Sequence, residues 1–198
     1  MPDTRPDIAA LIGSRICHDL ISPIGAINNG LELLEMAGGT SGPELELISD
    51  SVNNASARIR FFRIAFGAAS GQPVSVQEVR SVLKDMTAGS KLSLTWVSDT
   101  PQPREMVRLA LLAEQCLESS MPYGGQITID IQDGKWHITG QSDRLKIDTN
   151  LWGILADGSV PSDLAASHVH FALLALHSRD GGRAVQTTLS EQRIDVLF

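Results

Sequence analysis

His18, Asp19 and Pro23 stand together in the stretch Ser14–Leu34, SRICHDLISPIGAINNGLELL. A neutral imidazole is a nucleophile toward phosphorus, and its unperturbed pKa of about 6.5 leaves it mostly neutral at cell pH. A carboxylate next to it can accept a hydrogen bond from one ring nitrogen or take its proton. A proline five residues on removes the N–H that would pair with the carbonyl of Asp19, which predicts a bend beside the ring. At 100° per residue, Ser14, Ser22 and Gly25 fall close to the direction of His18. Small residues there leave room for a protein to approach the ring. Arg15, one turn earlier, lies near enough to contact a phosphoryl group or the protein delivering it. The residue types suit a helix that carries a phosphoryl group between proteins.

These residues need a long helix to hold them. Ile12, Ile16, Leu20, Pro23, Ile24, Ile27, Leu31 and Leu34 recur with helical spacing, which predicts a helix from about Pro6 to about Met36. Gly38, Gly39 and Gly42 end it, and Pro43, Glu44 and Glu46 suit the start of a second helix. In that helix Leu45, Ile48, Val52, Ala55, Ile59, Phe62 and Phe66 form a heptad-like seam. Two helices joined by a short turn form an antiparallel hairpin. A lone hairpin leaves apolar surface wet, so a homodimer closed as a four-helix bundle is expected. Arg58, Arg60 and Arg63 on the second helix read as solvated charges, or as a rim facing an acidic partner.

The small-residue run from Gly67 to Gln72 is a plausible boundary, giving a hairpin domain over 1–70 and a second domain over 71–198. In the second, Val76–Ala88, Arg104–Ser120, Leu151–Ala156 and Ser162–Ser178 read as helical. Lys91–Val97, Gln126–Ile131, Lys135–Thr139, Arg183–Leu189 and Arg193–Phe198 read as strands, with Asp133-Gly134 marking a hairpin turn. Helices grouped on one face of an antiparallel sheet make the fold class α+β.

Composition narrows the function classes. The 198 residues carry a formal net charge of −7, which disfavours nucleic acid and anionic membrane surfaces as partners. No apolar run approaches the ~20 residues of a membrane span, and the N-terminus lacks the basic and apolar regions of a signal peptide. Cys17 and Cys116 are not spaced as a metal or redox pair and fit a reducing cytoplasm. His168 and His170 point to different sides of a helix, so no metal site is expected. Trp96, Trp136 and Trp152 read as core.

His18-Asp19-Leu20 with Pro23 and Asn28 resembles the H-box of the dimerisation and phosphoacceptor domain of sensor histidine kinases. Met121-Pro122-Tyr123-Gly124-Gly125 followed by a strand resembles the turn after the N-box helix of the kinase ATP-binding domain, an α/β sandwich of the Bergerat type. The departures matter as much. Cys116 aligns with the metal-holding asparagine, and a thiol is a poor Mg²⁺ ligand. Gly140-Gln-Ser-Asp-Arg-Leu145 replaces the Asp-x-Gly-x-Gly motif. Pro161–His168 replaces the Gly-rich phosphate lid, where backbone amides would wrap phosphates.

An H-box joined to a degenerate ATPase domain resembles the alphaproteobacterial histidine phosphotransferases of the ChpT type. That resemblance implies a dimeric cytoplasmic phosphotransferase that neither binds nor hydrolyses ATP. It implies transfer through a phosphohistidine at His18, from the receiver domain of a hybrid kinase to response regulators, with Asp19 as proton or hydrogen-bond partner. It also implies no cofactor in this chain, the Mg²⁺ coming with the receiver. A divergent ATP-binding histidine kinase and a non-catalytic dimeric scaffold are the alternatives.

Overall fold

A computed structural model describes residues 6–37, 42–67 and 71–198. The first helix, α1 (Ile8–Ala37), runs through Pro23 as one element, and α2 (Pro43–Ala65) begins with its proline in the first turn. Most of the turn expected at Gly38–Gly42 and half of the break expected at Gly67–Gln72 lie outside the described residues. The helices α1 and α2 pack against each other along the hairpin. Gly30 is buried in this contact, and the Ile48 side chain fills the space a Cβ would take.

The remainder comprises α3 (Val76–Met86), β1 (Leu92–Trp96), α4 (Arg104–Ser119), β2 (Gly125–Gln132), β3 (Lys135–Gln141), α5 (Thr149–Asp157), a 3-10 turn (Ala166–His168), α6 (Val169–Asp180), β4 (Gln186–Leu189) and β5 (Arg193–Leu197). Local chemistry places the ends. Ser75 accepts a hydrogen bond from the Glu78 amide at the start of α3, Asp148 caps α5, and Gly158 ends α5 in the left-handed region. The last helix starts at Val169, not at Ser162. Pro161–Leu164 and Ala165–His168 close as separate turns, through Leu164 N–H to Pro161 O and His168 N–H to Ala165 O.

The sheet order is β1-β2-β3-β5-β4. It is mixed, which corrects the antiparallel expectation: β1 pairs parallel with β2 because α4 carries the chain back across the sheet between them. Asp133 and Gly134 both have positive φ and close the β2–β3 hairpin as expected. Ile127, Ile129, Trp136, Ile138, Ile194 and Val196 are buried on the face that the helices cover. Helix α4 lies on β2 and β3, with α6 beside it. The three tryptophans are core residues, and Trp152 donates its indole N–H to Ser120.

The heptad seam expected on α2 is covered within one chain only toward its end, at Phe62. Leu45, Val52 and Ile59 are exposed, whereas Ala57, Phe61, Phe62, Ile64 and Ala65 are buried. The last turns of α2 are packed on more than one side, by α3 and α4, and they belong to the same continuous core as the sheet. Arg60–Asp85 (2.6 Å) and Arg63–Glu78 (2.7 Å) tie α2 to α3 at the surface. Exposed pairs of this kind contribute about 0–1 kcal/mol each, so the apolar burial dominates the junction. Among the described residues, no helix is long and apolar enough to cross a membrane.

The Gly124-Gly125 turn feeds β2 into the sheet, where the Gly125 N–H reaches Lys91 O. Both glycines have φ in the left-handed region, and a methyl group on Gly125 would overlap the carbonyl oxygen of Gln141. Gly125→Ala is expected to cost about 1–3 kcal/mol of stability, read as a lowered urea midpoint at unchanged slope.

Candidate functional site

His18 stands on the outer face of α1 with 83 % of its side chain exposed. Its Nδ1 lies 3.1 Å from Asp19 Oδ1. The adjacent position lets the acid lie under the flank of the ring, where its side chain is only 9 % exposed. An Nδ1–H donating to this carboxylate leaves the lone pair on Nε2, and Nε2 has no hydrogen-bond partner among the described residues. The geometry offers one held nitrogen and one free nitrogen.

Asp19 is itself held from two sides. Arg15 Nε donates to its Oδ2 at 2.8 Å, and Arg58 from α2 stands 3.5 Å from the same oxygen. Arg58 is steadied by Asn54, one turn earlier. Arg15 also donates to the carbonyl of Ser167 at 2.6 Å and to Gln115 Oε1 at 3.3 Å. Its guanidinium therefore joins α1 to the 3-10 turn and to α4. The Pro161–His168 segment, placed by resemblance at the phosphate lid, contributes this contact to α1. Ser14 and Ser22 are exposed beside the ring, and a Cβ built on Gly25 would meet nothing within 4 Å. The approach to Nε2 is open over these small residues.

Sequence reasoning placed His18, Asp19, Arg15, Ser14, Ser22 and Gly25 on one helix but missed Arg58, Gln115 and Ser167. Arg58 was legible in part. Counting equally away from the turn along both arms of a hairpin brings it within one turn of Asp19. Gln115 and Ser167 come from distant segments, and nothing in their local pattern marks them.

Beneath Arg15, α4 buries polar groups that an amphipathic reading would turn to solvent. Gln115 and Glu114 are nearly inaccessible, and Gln115 Nε2 donates to Glu114 Oε2 (3.1 Å) and Glu118 Oε2 (2.6 Å). Burial, reinforced by the charge of Glu118, pushes the Glu114 carboxyl well above its ordinary 4.5. Burial likewise holds His170 well below 6.5, so its ring is neutral where it meets Ser119 Oγ at 3.0 Å. Cys116 is buried and its thiol is pushed up by burial and by Glu114, which makes it inert.

Glu114 keeps its proton in the folded chain over a range where the unfolded chain has lost it. Folding then takes up a proton, so its contribution is fully present below 4.5 and is lost as pH rises through the folded-state pKa. Glu114→Gln is expected to flatten that decline and to exceed the wild type in urea midpoint at about pH 8.

The comparisons with known proteins follow the same outline. Residues 76–193 match the histidine phosphotransferase C-terminal domain family. The chain is 36 % identical over 169 residues to the protein phosphotransferase ChpT of Brucella abortus (strain 2308), covering 82 % of this chain and 80 % of that protein. A solved bacterial phosphotransferase, determined at 1.7 Å, superposes with a TM-score of 0.80 at 32 % identity, covering 96 % of this chain and 95 % of the other. The family match lies in the sheet unit and its covering helices, the structural match spans nearly the whole chain, and the chain belongs to the histidine phosphotransferase family.

Proposed function

We propose that this phosphotransferase shuttles a phosphoryl group through His18, from the receiver domain of a hybrid histidine kinase to the receiver domains of response regulators, in the cytoplasm. The observation that carries the reading is the exposed imidazole with one nitrogen held by a buried, doubly clamped carboxylate and the other open. The lone pair of Nε2 attacks the phosphorus of a receiver aspartyl phosphate. The N–P bond forms as the P–O bond to the aspartate breaks, and the carboxylate leaves. Positive charge grows on the ring, and Asp19 beside Nδ1–H stabilises it, as an oriented carboxylate does for imidazolium elsewhere. The reverse sequence loads a second receiver. The Mg²⁺ and most of the charge stabilisation at phosphorus come with the receiver domain, while this chain supplies the nucleophile and the landing surface.

In this reading the hairpin of residues 1–70 presents the histidine and residues 71–198 brace it. The hairpin also displays apolar side chains that a monomer leaves wet: Ile21 (69 %), Ile24, Leu31, Leu33 and Met36 (85 %) on α1, with Leu45, Leu47, Val52 and Ile59 on α2. A second hairpin laid against them by twofold symmetry completes a four-helix bundle. Light scattering at micromolar concentration is expected to give twice the chain mass, and a stable monomer would refute the bundle.

Transfer from a receiver domain carrying labelled aspartyl phosphate tests the chemistry. Wild type is expected to take up acid-labile, alkali-stable label. His18→Ala is expected to take up none while keeping its oligomeric state. Asp19→Asn keeps the nucleophile and is expected to slow uptake by about tenfold to a hundredfold. Acid-labile label on the His18→Ala protein would reject the assignment.

A further inference from the structure

Gln115 lies on the face of α4 turned toward α1 and is 5 % exposed. Its amide hydrogens go to Glu114 and Glu118, and its oxygen receives Arg15. The two carboxyls fix which way the amide points. Flipped, it would set its oxygen against Glu118 and its N–H groups against a guanidinium. An acceptor therefore meets Arg15, and Arg15 is held at all three nitrogens: Nε by Asp19, one terminal nitrogen by Ser167 O and the other by Gln115. A planar guanidinium held at three points has little freedom to swivel. It presents Nε to one oxygen of Asp19, whose other oxygen holds His18 Nδ1. A continuous hydrogen-bonded path runs from Glu118 through Gln115, Arg15 and Asp19 to the reacting ring.

We propose that Gln115 is a positioning residue for phosphoryl transfer: acting through Arg15 and Asp19, it sets the tautomer and orientation of the His18 imidazole from the sheet unit. The inference rests on His18 being the phosphoryl acceptor. Glu118 is the outer anchor of the same path. Its carboxylate oxygen directs the Gln115 amide, although the residue itself is exposed. Spatial continuity alone does not establish coupling, so the test is a double-mutant cycle read on the chemical step.

Gln115→Met, similar in length and without polar atoms, is expected to slow single-turnover phosphoryl uptake at saturating receiver by about fivefold, with the receiver concentration at half-maximal rate unchanged. In the Asp19→Asn background the same change is expected to cost nothing further. Glu118→Ala removes the acceptor from an exposed position and is not expected to disturb folding. It should slow uptake about twofold alone and not at all with Asp19→Asn. The nitrogen-15 signals of His18 should shift away from the Nδ1–H tautomer in Gln115→Met.

Uptake by Gln115→Met at the wild-type rate, an equal loss in both backgrounds, or a loss confined to receiver binding would overturn the proposal. If Gln115→Met does not fold, the Glu118→Ala cycle decides alone: no rate loss, or an equal loss in both backgrounds, overturns it. Failure of the wild type to accept any label would instead bring down the phosphoacceptor reading, and the inference with it.

Discussion

The Asp19 carboxylate, gripped by Arg15 and Arg58, is the constraint on which the site depends. Two cations converge on one oxygen while the other oxygen faces the imidazole. An anion this poorly exposed needs partners, because the desolvation of a lone buried charge amounts to several kcal/mol. Arg15 and Arg58 meet that need from one turn away and from the facing helix. The same arginines fix the direction of the acid. A surface His–Asp pair without them would sample many geometries, each worth little. The exposed ring is held on one side by a neighbour that is not itself exposed.

This constraint also explains how the hairpin meets the sheet unit. Arg15 cannot hold Asp19 and reach Ser167 and Gln115 unless α1 rests on the 3-10 turn and α4 lies beneath it. The 3-10 turn meets this need with a backbone carbonyl, which no side-chain substitution there removes. Helix α4 meets it with a buried amide supported by two carboxyls, one of them pushed well above its ordinary pKa by burial. The apolar contacts of Phe61, Phe62 and Ile64 hold the two parts together, and the polar contacts set where they stop. Burying a large apolar side chain is worth about 1.5–3 kcal/mol, against about 1 kcal/mol for a neutral hydrogen bond.

Much of this was legible in the residues. The long periodic stripe of α1, the Asp133-Gly134 turn and the alternation in β2 and β3 locate elements because each depends on local pattern and turn chemistry. His18 and Asp19 stood out because they share a helix with small neighbours. The parallel β1–β2 pair was not legible, since strand direction follows from how α4 packs and not from the strands themselves. Which apolar residues of α2 the sheet unit covers was not legible for a related reason. Its apolar residues serve two audiences, a heptad-spaced seam along one face and a sheet unit around the last turns, and periodicity cannot assign them. The polar residues of α4 look like an outer face until α1 is known to cover them.

That double service of α2 limits how the histidine can be inherited. Phe61, Ile64 and Ala65 are covered by the sheet unit and cover it in return. A gene fragment encoding only the helical arms would ship its sticky end bare, and the complementary fragment would arrive with a hole in its roof. The exposed ring is thus not a cassette that recombination can lift out and graft elsewhere. It travels with its companion half or not at all.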